Sequence, residues 1–323
     1  MSKCHGCGII LQNENREELG FTPNLESELC ERCFRINHYN DYKRVVKDNN
    51  FILEILAKIN NKDLVVLIID VMSIPENLDL IKNNLKNDIL LVLSKSDLLP
   101  SEMYAEKFDR IAKSLNINVI DKVLISSNKN FNLDLLMEKI NTYKKSNNVY
   151  FVGYSNSGKS TLINKIIYNY TDLNENITTS LLPSTTLDLI EIKIDDNLTI
   201  FDTPGLLENG NIIDVIDEKS LNKIMPKKKI NPRVYQIKNN QVINVEDIIS
   251  IMVEPKNDLI FYISNALNIT REFEKKLDGK EIIINANEEL VIMGLGFIKF
   301  KNKTKIVLKS KYEVNIFTRK ALM

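Results

Sequence analysis

Gly153-Tyr-Ser-Asn-Ser-Gly-Lys-Ser160 fits the pattern G-x-x-x-x-G-K-[ST] and stands near the middle of a chain of 323 residues. The apolar run Val149-Tyr-Phe-Val152 precedes it and Thr161-Leu-Ile-Asn-Lys-Ile-Ile167 follows, so the stretch reads as buried strand, loop and helix. Gly153 and Gly158 let the backbone curl until successive N–H groups, those of Asn156, Ser157, Gly158, Ser160 and Thr161 among them, point at one phosphate chain. The helix N-terminus adds partial positive charge. Lys159 is expected to reach the terminal phosphates and the Ser160 hydroxyl to hold magnesium. A Gly/Ser-rich turn that matches by chance is the alternative, and both flanks argue against it.

Downstream, Asp202-Thr-Pro-Gly205 follows the strand-like Leu198-Thr-Ile-Phe201, which puts a carboxylate at a strand end where it orients magnesium, with the Gly205 N–H placed to sense a terminal phosphate. The polar loop Thr178 to Asp188 lies between the two motifs, and Thr186 within it is the residue expected to complete the metal shell. Selection of guanine needs a carboxylate that accepts both N1–H and the exocyclic amine. Two segments offer one: Ser94-Lys-Ser-Asp97 after the apolar strand Ile89-Leu-Leu-Val-Leu93, and Pro255-Lys-Asn-Asp258. Only the first is followed by a helical stretch, Glu102 to Leu115, and a strand, Val119 to Ile125, that ends in a further loop, Ser126-Ser127, suited to the guanine oxygen. The order is therefore base motif (Ser94, Lys95, Asp97), oxygen loop, phosphate loop, switch threonine, Asp-Thr-Pro-Gly. That is the order of a circularly permuted P-loop GTPase of α/β class, and permutation costs little where the usual termini lie close together.

Cys4-His-Gly-Cys7 and Cys30-Glu-Arg-Cys33 use all 4 cysteines of the chain. Two C-x-x-C pairs at this spacing read as a closed structural zinc site of four thiolates. Two disulfides or a redox pair are the alternatives, disfavoured because no signal-peptide-like or membrane-length apolar stretch is present; a cytoplasmic location is expected. His5 and His38 read as neighbours rather than ligands.

These features, with Cys30-Glu-Arg-Cys-Phe-Arg-Ile-Asn-His-Tyr-Asn40, Pro183-Ser-Thr-Thr-Leu-Asp188, Asp202-Thr-Pro-Gly205 and Gly294-Leu-Gly-Phe297, resemble the YqeH family of circularly permuted GTPases over nearly the whole chain. The resemblance implies a GTPase acting in assembly of the small ribosomal subunit, with GTP/GDP and magnesium as ligands and the small subunit or its rRNA as partner. A membrane or DNA partner is not implied, and a monomer is expected. The alternative is a nucleotide-gated RNA-binding or regulatory module that hydrolyses negligibly.

Three positions depart from the family pattern. Ser94 stands for the usual asparagine and keeps a hydroxyl for bridging to the phosphate loop. Ser184 replaces a glycine. Leu206 stands where classical GTPases carry a water-orienting glutamine, and an alkyl group cannot orient a nucleophile, so slow intrinsic hydrolysis is expected. Asn156 matches the asparagine that ligates potassium in related GTPases, where the ion offsets transition-state charge; a loop-stabilising amide is the other reading.

Net charge is zero with 44% hydrophobic residues, enough for two or three domains with cores. The charge is uneven. From Val215 to Met323 there are 20 Lys and Arg against 13 Asp and Glu, a balance of +7, which leaves −7 before it. A basic C-terminal part fits a polyanion surface. Lys299, Lys301, Lys303 and Lys305 alternate in a strand-like run, predicting one lysine face with Phe300 and Ile306 turned inward; the readings as a phosphate-tracking face and as a protected edge strand both stand. The expected organisation is a zinc-binding module at 1–45, the permuted GTPase domain at 46–215, and a mixed, strand-rich C-terminal RNA- or partner-binding domain at 216–323.

Overall fold

The structure, a computed structural model, describes residues 4, 10–16, 20–31, 34, 49–100, 105–171, 189–273 and 276–322. The helices are α1 (Asn49–Ala57), α2 (Asp79–Asn84), α3 (Ala105–Ser114), α4 (Leu133–Tyr143), α5 (Lys159–Tyr170) and α6 (Glu218–Ile224). Two compact units emerge, Met1–Asp70 with Leu78–Lys95 and Ile117–Leu207, and Val71–Asn77 with Ser96–Asn116 and Glu208–Met323.

The first unit is built on a six-stranded sheet in the order β3-β2-β1-β4-β6-β5. Its strands are β1 (Leu64–Asp70), β2 (Ile89–Ser94), β3 (Asp121–Leu124), β4 (Asn148–Gly153), β5 (Ile190–Asp195) and β6 (Leu198–Asp202). Leu64-Val-Val-Leu-Ile-Ile-Asp70 is buried at every position, as is β2, and such unbroken apolar runs suit parallel strands covered on both faces. β5 alternates exposed and buried residues and pairs antiparallel to β6 at the edge. One face of the sheet, through Val66, Ile68, Leu90, Val92 and Phe151, packs on α4 and α5. Leu133, Leu136, Met137 and Ile140 supply the i, i+3, i+4, i+7 stripe of α4 that makes this possible. Each such buried side chain is worth roughly 1.5–3 kcal/mol.

The topology explains where the motifs end up. From β1 the chain adds β2 and then β3 on one side, and only then crosses back to lay β4 on the opposite side of β1. The switch point of the sheet therefore lies between β1 and β4, and in open parallel sheets the crevice beyond the strand carboxyl ends at such a point is where ligands bind. The phosphate loop leaves β4 there. Asp70 sits beside Ser94 in register, and Gly153 beside Ile68.

Among its described residues the second unit holds ten strands: β7 (Arg233–Ile237), β8 (Gln241–Val245), β9 (Ile249–Val253), β10 (Asn257–Ile263), β11 (Ile269–Phe273), β12 (Lys280–Ile284), β13 (Glu288–Ile292), β14 (Gly296–Phe300), β15 (Thr304–Ser310) and β16 (Ile316–Lys320). They form two five-stranded antiparallel sheets, β16-β13-β14-β10-β7 and β11-β8-β9-β15-β12. Leu259, Phe261, Ile298 and Phe300 of one share a core with Ile243, Ile251, Ile306 and Leu308 of the other. α6 is opened by Asp217, whose carboxylate accepts from the Ser220 N–H at 2.9 Å.

The alternating lysines do not share a strand face. Lys299 lies in β14, Lys301 and Lys303 fall in the hairpin connection, and Lys305 lies in β15. Lys301 pairs with Asp258 and Lys305 with Glu281. Phe300 and Ile306 are fully buried, which is what the period-two reading required of them, but the turn between breaks the period. Asp258, the rejected base candidate, belongs to β10 of this antiparallel unit.

Candidate functional site

The phosphate loop runs from Gly153, the last residue of β4, to Lys159, the first of α5. Gly153 has no room for a side chain: a Cβ there would lie 2.6 Å from the Ile68 carbonyl oxygen and 2.9 Å from Ser157 Oγ. Asn156 at φ +63° and Gly158 at φ +88° are left-handed, and these two reversals wrap the loop over the helix start. The amides of the first turn of α5 have no helical acceptors and form an anion site. Ser157 Oγ is buried without a hydrogen-bond partner, an orphaned donor in the cradle of the kind a phosphate oxygen satisfies.

Lys159 and Asp202 are both almost fully buried and form an ion pair. A buried ammonium requires such a partner, since leaving either charge alone costs several kcal/mol. Asp202 reaches this position because β6 runs parallel to β4, with Phe151 opposite Asp202. The Asp202 carboxylate and the Ser160 hydroxyl are hard oxygen donors of the type magnesium prefers, so the residues present fit that ion, which supplies charge neutralisation to a phosphate chain.

Beyond β2, the Ser94 hydroxyl donates to the carbonyl of Ser157, and lies 3.3 Å from that of Ile69. Lys95, left-handed at φ +57°, turns its ammonium to Asp70 at 2.7 Å and to the Asn156 carbonyl at 2.5 Å. The base motif is thus tied to the phosphate loop by two side chains. Asp97 follows in the short 3-10 turn Ser96–Leu98, half-buried. Ser126 and Ser127 close a tight loop after β3: Ser126 and Phe131 exchange backbone hydrogen bonds, and Ser126 Oγ accepts from Lys129 N–H.

The segment after Asp202 is bound to the loop by its backbone. Leu206 N–H donates to the Gly153 carbonyl at 2.9 Å, and Ser155 N–H donates to the Leu206 carbonyl at 2.8 Å. A Cβ on Gly205 would stand 2.9 Å from Ser155 Oγ and 3.1 Å from its backbone. The Leu206 side chain is fully buried. One residue on, Asn49 of α1 clamps Leu207, its amide donating to the Leu207 carbonyl at 2.9 Å and its oxygen accepting the Leu207 N–H at 2.8 Å. Sequence reading missed Asn49, the Lys95–Asp70 pair and Ser155. Nothing local to Asn49 marks it.

Thr178 to Asp188, with Thr186, lies outside the described residues, as do Cys7, Cys33, His5 and His38. Cys4 and Cys30 are buried, and the Cys30 N–H donates to Cys4 Sγ at 3.1 Å. An amide directed at a cysteine sulfur stabilises a thiolate, so these two fit a zinc knuckle chemically. Among the described residues no group of three or more His, Cys, Asp or Glu is assembled for a metal. Nor, among them, is any helix long and apolar enough to cross a membrane.

The chain is similar to known GTPases. The family model described as RsgA GTPase matches residues 48–212, and that described as 50S ribosome-binding GTPase matches residues 148–288. YqeH of Bacillus subtilis, described as uncharacterized, is 30% identical with 99% of both chains covered. GTPase Der of Borrelia garinii subsp. bavariensis is 28% identical over 82% of this chain and 58% of its own length. NO-associated protein 1, chloroplastic/mitochondrial, of Arabidopsis thaliana is 23% identical over 73% of this chain and 49% of its own.

Proposed function

The chain belongs to the YqeH type of circularly permuted GTPases and hydrolyses GTP, and from that premise we propose that its nucleotide state gates binding to the small ribosomal subunit during assembly. The observation that carries this is the zipping of Gly205-Leu206 onto the phosphate loop through backbone bonds at Gly153 and Ser155. A terminal phosphate, being an acceptor, would compete with the Leu206 carbonyl for the Ser155 N–H, and its arrival and loss would thereby alter the segment that continues, at Glu208, into the second unit.

In this reading Lys159 leaves Asp202 for the terminal phosphates, the loop amides hold the phosphate chain, and Asp97 accepts the two guanine donors with Ser126 and Ser127 at the base oxygen. Ser160, Thr186 and Asp202 hold magnesium. Cys4, Cys7, Cys30 and Cys33 hold zinc in a module at 1–45, and the C-terminal part from 216 on meets RNA in the cytoplasm. Leu206 is buried and orients no water, so intrinsic turnover is slow. Asn156 supports potassium as the missing cation; equal turnover in potassium and sodium buffers removes that role.

The small subunit comes from the likeness to YqeH, whereas one matching family is described as binding the 50S ribosome. Pelleting the full chain with isolated small and large subunits, with GTP analogue and with GDP, separates the two. Analogue-dependent pelleting with small subunits is expected. In depleted cells, Lys159→Ala is expected to fail to restore subunit profiles, and full restoration argues against a nucleotide-driven role.

A further inference from the structure

β7 and β11 are edge strands of the two C-terminal sheets, and beside them opens a cleft of about 620 Å3. Tyr235 of β7 and Arg271 and Phe273 of β11 converge there. The Arg271 guanidinium lies 5.3 Å from the centre of the Tyr235 ring and 5.8 Å from that of Phe273, so both rings are within cation–π reach of it. Its edge is fixed as well: Nε donates to Gln241 Oε1 at 2.6 Å and Nη2 to the Gln236 carbonyl at 3.0 Å. Tyr235 is anchored edge-on against the core residue Phe261, with ring centres 5.4 Å apart.

This assembly is cationic, and its guanidinium is held in place by two hydrogen bonds. Phe273 remains 58% exposed, an apolar display that no packing requirement of an edge strand explains. Among the described residues, the groups that accept from Arg271 are the neutral Gln241 amide and Gln236 carbonyl. Lys238 adds a second cation to the cleft, and among the described residues no carboxylate lines it.

We propose that this ledge binds single-stranded RNA by stacking nucleobases on Phe273 and the Tyr235–Arg271 pair, with Lys238 and Arg271 meeting the phosphates. The proposal rests on the reading above that the chain acts on ribosomal RNA, and adds where and how. A protein partner would be expected to bring carboxylates to two cations and side chains to a pocket. An exposed aromatic ring beside a guanidinium held in place instead suits the faces of unpaired bases, each of which stacks whatever its sequence. The surplus of +7 from Val215 to Met323 favours the same polyanion.

The chain contains no tryptophan, so Phe273→Trp introduces a lone indole reporter at the ledge. In the full-length chain, a single-stranded oligoadenylate or oligouridylate is expected to quench that indole and a duplex of equal length is not. Phe273→Ala is expected to weaken single-strand binding about tenfold with GTP turnover unchanged. Phe273→Lys should weaken it too, despite the added charge. Absence of quenching, unchanged binding by Phe273→Ala, or tighter binding by Phe273→Lys overturns stacking. Loss of subunit pelleting by Phe273→Ala with oligonucleotide binding intact assigns the ledge to a protein and overturns it equally. If the unaltered chain pellets with neither subunit yet the oligonucleotides still quench, the ribosomal reading fails and the ledge stands.

Discussion

Asp97 stands three residues beyond a serine whose hydroxyl is bonded to the phosphate loop, and its carboxylate is asked to read the base. A carboxylate accepts twice, from N1–H and the exocyclic amine; an amide accepts once and donates once. Asp97→Asn should therefore lower GTP affinity by about two to four powers of ten and raise that for xanthosine triphosphate, whose C2 carbonyl suits the new donor. Competition against a labelled guanine nucleotide measures both, and an unaltered preference for GTP removes Asp97 from base recognition. The phosphate loop, Asp202 and the base segment were legible as residues because each chemical task restricts residue type and spacing. Lys95 was not legible as the link between Asp70 and Asn156, since its direction depends on a left-handed backbone that no local pattern announces. Leu206 misled in a different way: compared by side chain with a glutamine it is an absence, whereas its backbone makes the contact.

At the scale of elements, Gly294-Leu-Gly-Phe297 is a turn whose glycines are dictated by neighbours. A Cβ on Gly294, at φ +79°, would lie 2.0 Å from Asn211 Oδ1, the atom that caps the 3-10 turn Ile212–Asp214 through the Ile213 N–H. One on Gly296, at φ +130°, would lie 2.3 Å from the Tyr262 carbonyl where β14 meets β10. Gly296→Ala is expected to destabilise the second unit by about 3 kcal/mol, against under about 0.5 kcal/mol for Ile283→Ala on the exposed side of β12. Urea unfolding followed by circular dichroism reads the difference; equal midpoints would show the contact to be relieved at no cost. Strands β2 and β4 were readable as the apolar runs at 89–93 and 149–152. The lysine run at 299–305 was not, because the same alternation is produced by two strands and the turn joining them.

For the whole molecule, acid–base linkage gives one expectation. Burial pushes the Glu208 carboxyl up to about 8 from an ordinary 4.5, with the nearby Asp214 charge adding to it. The folded chain holds that proton while the unfolded chain releases it above about 4.5, so the associated stability is present at low pH and lost as pH rises through 8. Glu208→Gln keeps a neutral group there, and its melting temperature relative to the unaltered chain should climb from pH 5 to pH 8; a constant offset would mean Glu208 titrates normally. The sheet order carries a different consequence, one for biosynthesis. β1, β2 and β3 leave the ribosomal tunnel first, yet the neighbour that covers the second edge of β1 is β4, at Asn148–Gly153. At ordinary translation speeds the nascent polypeptide displays the bare backbone rim of an almost wholly apolar strand for on the order of ten seconds, a window in which chaperones and aggregation compete for it.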